Sequence, residues 1–149
     1  MKRFAVCLSA LLMLTAVPAF AVDWQPVATS GEKDYVLFVD RETLQRAGGN
    51  VKAWFLLDFA ETLVTSGGKM SFRSIAELNY LNCDDRSKAS VEQRMYAGNM
   101  GRGEVVHEQV VKDAALMYTE IIPQSPGELK FDHVCAPGAS ALKRPGTRP

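Results

Sequence analysis

Apolar and polar residues alternate through most of this chain with the two-residue period of an extended strand. Val51, Ala53, Phe55, Leu57 and Phe59 fall on one side of one such segment, with Trp54 and Leu56 on the other. Tyr35-Val36-Leu37-Phe38-Val39 is a β-branched and aromatic run ended by Asp40. A first strand is predicted over 24–28, joined to that run by a hairpin connection at 30–34. Residues 40–44 predict a single helical turn capped by Asp40. Ala47-Gly48-Gly49-Asn50 is a turn, and 60–70, with Thr65-Ser66-Gly67-Gly68, a polar loop. Further strands are predicted over 71–83, 91–97 and 104–111, separated by turns at 84–88 and 98–103. Turns this short favour an antiparallel meander over parallel βαβ units.

The period changes near the end. Ser125 is placed to cap a helix, Pro126 suits its first position and Glu128 completes a capping box. Phe131, Val134 and Cys135 then share one helical face. The predicted fold is α+β: an antiparallel, strongly twisted sheet of about six strands, with a short C-terminal helix packed on it and tied by a disulfide. One helix covers one sheet face, yet the 51–59 strand is apolar on both. Three readings stay open for the second face around Trp54 and Leu56: a sheet curled onto itself, a homodimer contact, or a ligand groove.

The N-terminus reads differently. Met1-Lys2-Arg3 is a positive opening, residues 4–20 carry no charge, and Ala19-Phe20-Ala21 has the small-x-small form of a cleavage site after Pro18. Residues 1–21 are expected to be a signal peptide cut between Ala21 and Val22, leaving no membrane span. Position 22 is valine, so no lipid-anchor cysteine follows the cut. The mature protein is expected to be periplasmic or secreted. Residues 22–135 form the predicted domain, and 136–149, with Pro137, Gly138, Pro145, Gly146 and Pro149, a disordered tail.

Export bears on the cysteines. Cys7 lies in the leader, which leaves Cys83 and Cys135 as an even pair in an oxidising compartment. A disulfide between them is the expected use, contributing about 4 kcal/mol on the chain-entropy account. A catalytic cysteine beside His133 is the competing reading.

The 149 residues suffice for one domain, and 17 basic side chains balance 17 acidic ones. Setting aside Lys2 and Arg3 in the leader and Lys143, Arg144 and Arg148 in the tail leaves 12 basic against 17 acidic, a net charge of −5. An acidic module of this kind is not expected to bind nucleic acid. The glycines at 98–103 lead into Glu104-Val105-Val106 without a phosphate-binding lysine, so they mark a turn. Two histidines far apart in sequence give no metal set, and no G-x-S-x-G elbow accompanies Asp132-His133. No catalytic residue, metal or cofactor is therefore expected. Arg73, Arg86, Lys88 and Arg94 read either as a solvated strand face or as a basic rim for an acidic partner.

In order and spacing the chain resembles the surface-adhesin protein E-like family of small exported proteins from Gram-negative bacteria. The matching pieces are Asp23-Trp24, the run 35–40, the run 50–59, Gly67-Gly68-Lys69, the strand into Cys83, Tyr96, residues 100–106, residues 123–128 and Val134-Cys135. The resemblance implies an antiparallel sheet with a C-terminal helix bridged through Cys83 and Cys135. It also implies a non-enzymatic binding module with a protein partner, host matrix and plasma proteins among the candidates, and members of such a family can form homodimers. The alternative is a soluble periplasmic carrier holding a small hydrophobic or planar ligand on the Trp54 and Leu56 face.

Overall fold

The alternating segments become strands in the computed structural model, which describes residues 22–30, 34–112 and 115–136. In chain order these are β1 (Trp24–Ser30), β2 (Tyr35–Asp40), β3 (Gln45–Ala47), β4 (Asn50–Val64), β5 (Ser71–Asn82), β6 (Ser87–Tyr96), β7 (Val105–Val110) and β8 (Thr119–Glu120), followed by α1 (Pro126–Cys135). All pairings are antiparallel, in the order β1-β2-β4-β5-β6-β7. The sheet has eight strands, more than the expected six or so. Two short ones lie off the main path, β3 on β4 and β8 on β6. Both are exposed and too short to show an alternation, so only their backbone pairing reveals them. The predicted leader at 1–21, its cleavage site after Ala21, and residues 137–149 of the expected tail lie outside the described residues.

Two local readings change. Residues 40–44 form a bend, not a helical turn. Asp40 does act as a local acceptor, taking the Glu42 N–H at 3.1 Å, but the chain turns straight into β3. The 60–70 loop is also shorter than expected, because β4 runs on to Val64. After a register shift beyond Asp58, Leu63 and Val64 pair with Phe72 and Ser71. The Thr65 N–H to Met70 carbonyl bond closes this hairpin at 2.9 Å. Backbone hydrogen bonding carries the strand through a polar stretch that lacks a hydrophobic period.

One sheet face holds the core, where Leu37, Val39, Val51, Ala53, Phe55, Leu57 and Leu81 pack beneath Phe131 and Val134 of α1. The helix starts as its sequence dictates. The Ser125 hydroxyl accepts the Glu128 N–H, and the Glu128 carboxylate reaches back to the Gln124 N–H at 2.8 Å. Ile121, 4% exposed, anchors the chain just before it. At its far end Cys135 is bridged to Cys83 with a Cα separation of 5.4 Å. The expected disulfide is present, so neither thiol is free for catalysis.

Candidate functional site

The four basic residues read as a rim do not form one patch. The register sets Ala76 opposite Arg94, and strand alternation then puts Arg73 and Arg94 on opposite sheet faces. Arg86 and Lys88 sit at the other end of the β5–β6 hairpin, beside α1. Arg86 lies over the Phe131 ring at 4.6 Å and pairs with Glu128 at 3.2 Å. The Lys88 stem lies against Gly127, where a Cβ would meet its Cε at 3.3 Å. Arg73 donates to the Ala60 carbonyl. Arg94 pairs with Glu92 and with Glu108, the latter at 2.8 Å. Burial opposes charge on Arg94, but these carboxylates raise its pKa above the usual value.

The second sheet face is closed by side chains and by one loop. Arg94 stands over the Trp54 ring at 5.9 Å, and Lys52 over Tyr80 at 5.4 Å. Leu56 is fully buried. The β6–β7 loop folds back across it, bringing Gly101 near the Leu56 side chain. Four bonds pin this loop. Asp58 accepts the Met100 N–H at 2.6 Å, and Asn99 Nδ2 donates to the Phe59 carbonyl at 2.9 Å. The Ser74 hydroxyl, itself fully buried, donates to the Gly98 carbonyl at 2.7 Å and accepts the Gly101 N–H at 3.0 Å. Positive φ at Gly101 and Gly103 lets the chain turn this sharply. Residues 98–103 are thus a turn, as read, and also the cover over Trp54's neighbour Leu56.

A buried ionic network lies under the helix, with no local pattern along the chain to announce it. Lys130, 1% exposed, sends its ammonium to the Glu77 carboxylate and to Asn79 Oδ1, the latter at 2.9 Å, with the Phe55 ring 5.3 Å away. Burial drives the Lys130 pKa down, against the pull of Glu77. Burial pushes Glu77 upward, but Lys130 overrides it and holds the carboxyl below its ordinary range. His133 is likewise lowered, by burial first and then by Arg41 and Arg46. The helical spacing put Lys130 next to the apolar Phe131, and only a partner on β5 reveals its use.

The sheet's two edges differ. β1 carries Pro26 and a register shift beside it, devices that blunt pairing. β7 contains no proline, and no strand pairs with its outer edge among the described residues. Val105 and Val110 on β7 are exposed, as are Met117, Tyr118 and Ile122 around β8. Of the exposed large apolar side chains, only Val22, Leu63 and Val64 lie elsewhere among the described residues.

Residues 24–136 match the family model of surface-adhesin protein E. The chain belongs to the surface-adhesin protein E family. Its fold agrees with solved structures of two crystals of protein E from Haemophilus influenzae. One, from a non-typeable strain, has 18% identity and a TM-score of 0.52, covering 85% of each chain. The second, crystal form II, has 16% identity and a TM-score of 0.50, covering 76% of this chain and 96% of that one. No curated protein sequence matches. Membership makes this a surface-adhesin-like protein. Among the described residues no helix is long and apolar enough to cross a membrane, and no acidic, histidine or cysteine group is arranged to hold a metal.

Proposed function

We propose that this protein is exported through its 1–21 leader and binds extended segments of partner proteins, host matrix and plasma proteins foremost, along the β7 edge. The observation that carries the reading is the contrast between edges, one blunted by Pro26 and the other without a strand partner among the described residues and flanked by exposed apolar side chains. An open strand edge offers backbone donors and acceptors to an incoming strand, and flanking apolar side chains add affinity. The cations at 73, 86, 88 and 94 already engage groups within the fold or lie along the helix, so they contribute less.

The test is binding of residues 22–149 to immobilised laminin and vitronectin at physiological salt. A Val110→Lys, Met117→Lys variant should bind about tenfold more weakly, while Arg86→Ala with Lys88→Ala changes little. Equal binding by the edge variant, or no saturable binding to either protein, would overturn the reading. Light scattering in the same buffer separates the competing occupant of this edge, a second copy of the chain. Protease treatment of intact cells checks access, since full protection of the protein would rule out host contact.

A further inference from the structure

Two-electron oxidants convert methionine to its sulfoxide, at a rate set by how freely they reach the sulfur. Met1 and Met13 lie in the expected leader, so the exported chain carries Met70, Met95, Met100 and Met117. The first three are half-buried and built into the sheet or its turns. Met95 stands on β6 between Ile75 and His107 of the adjoining strands. Met100 lies in the loop pinned by Asp58 and Ser74. Met70 closes the β4–β5 hairpin through its backbone bonds to Thr65. Met117 differs from all three. At 80% exposed it is the most exposed large apolar side chain among the described residues.

The topology puts this side chain at a sensitive place. β7 and β8 lie end to end on the outer edge of β6, with Val110 opposite Glu92 and Thr119 opposite Lys88. Val111 still donates to the Val91 carbonyl at 2.7 Å, and Ile121 to the Arg86 carbonyl at 3.1 Å. On β6 only Ala89 and Ser90 stand between Lys88 and Val91, whereas Met117 and Tyr118 belong to the longer stretch opposite, outside the ladder. With Val110, Tyr118 and Ile122, Met117 makes up the exposed apolar flank of β7 and β8. Oxidation there leaves the backbone ladder intact and changes only the surface. The thioether becomes a polar, chiral sulfoxide. A partner's apolar group docking against that oxygen must strip its water without replacing the hydrogen bonds, a cost the thioether does not carry.

We propose that Met117 is a methionine-oxidation site whose sulfoxide weakens partner binding at the β7 edge, the second part resting on the binding reading above. The oxidant is a peroxide. A sulfur lone pair attacks one peroxide oxygen, the O–O bond breaks and an S–O bond forms. The proton on the transferred oxygen goes to the departing hydroxide, giving water. Sulfur loses two electrons and the peroxide gains them.

The experiment is a timed pulse of hydrogen peroxide on residues 22–149, followed by trypsin digestion and mass spectrometry. Met117 is read in the fragment 113–130, Met70 in 70–73, and Met95 and Met100 from fragment ions of 95–102. Met117 sulfoxide should form at least about fivefold faster than the other three. Treated protein should elute earlier from a phenyl hydrophobic-interaction column and bind laminin or vitronectin about fivefold more weakly than untreated protein. Met117→Leu retains an apolar side chain without the sulfur, so its treated and untreated forms should elute alike and bind alike. Oxidation of Met117 no faster than of Met70, Met95 and Met100 overturns the site. Unchanged elution of the treated parent, or an equal shift in treated Met117→Leu, overturns the surface change assigned to it. Equal binding by treated and untreated parent overturns the regulatory part while the edge reading stands. Binding by neither form overturns the edge reading and the regulatory part with it, and the oxidation order then decides the site by itself.

Discussion

Replacing Lys130 with methionine keeps the length and bulk of the side chain and removes its charge. Glu77 would then sit largely buried, 16% exposed, with Gln93 as its remaining side-chain donor at 2.8 Å. Removing one member of a buried ion pair costs about 3–5 kcal/mol, because the other charge is left uncompensated. The loss of the donor to Asn79 adds about 1 kcal/mol, while water reaching the exposed part of Glu77 reduces the total. The expected cost is about 3 kcal/mol. The double variant Lys130→Met, Glu77→Gln removes both charges and should lie within about 1 kcal/mol of the parent protein. Urea unfolding followed by tryptophan fluorescence reads both, and 3 kcal/mol should move the midpoint by about 1.5–2 M. Acid adds a second readout. The Glu77 pKa is lowered in the fold, so its contribution is complete above the ordinary value of 4.5 and disappears as pH falls through the folded value. Below pH 4.5 the parent should lose stability faster than the double variant. A single variant that costs under about 1 kcal/mol, or a double variant as unstable as the single, would refute the account of a paired buried charge.

Reduction of the Cys83–Cys135 bridge, or Cys83→Ser with Cys135→Ser, should cost about 4 kcal/mol, and an unchanged denaturation midpoint under reducing conditions would contradict its stabilising role. Ser74→Ala should cost about 1–3 kcal/mol and expose the Gly101 amide to hydrogen exchange, since that N–H loses its buried acceptor; unaltered protection of Gly101 would show that the loop is held by other means. Gly98→Ala would bring a Cβ within 2.8 Å of the Arg102 carbonyl oxygen and should lower stability by about 1–3 kcal/mol, measured by thermal unfolding. Ser125→Ala should cost about 1 kcal/mol through the lost helix cap, and a neutral result would mean that packing alone sets the start of α1.

The elements whose residues carry their own local signal were legible. The two-period of the 51–59 run located β4 and assigned its faces correctly, with Phe55 in the core and Trp54 opposite. Ser125, Pro126 and Glu128 located the helix start because capping is a bond between near neighbours in sequence. Elements held by distant partners were not legible. β3 and β8 exist through pairing with β4 and β6, and the far half of β4 through a hairpin bond to Met70. The candidate sites divide in the same way. Arg86 and Lys88 are neighbours in sequence and stay together, whereas Arg73 and Arg94 are parted by strand alternation.

By itself the sequence determined a strand-rich module with one capped helix, a cysteine pair suited to export, and an acidic balance in the body of the chain. These follow from periodicity, short-range hydrogen bonding and composition, each readable without knowing what lies across the fold. Tertiary structure decided three further matters. It buried the Lys130 ammonium against Glu77, folded the 98–103 turn over Leu56, and left β7 without an outer partner among the described residues while β1 was blunted. Each depends on which residues meet across the sheet, and that meeting is set by strand register, a long-range property with no local signature along the chain.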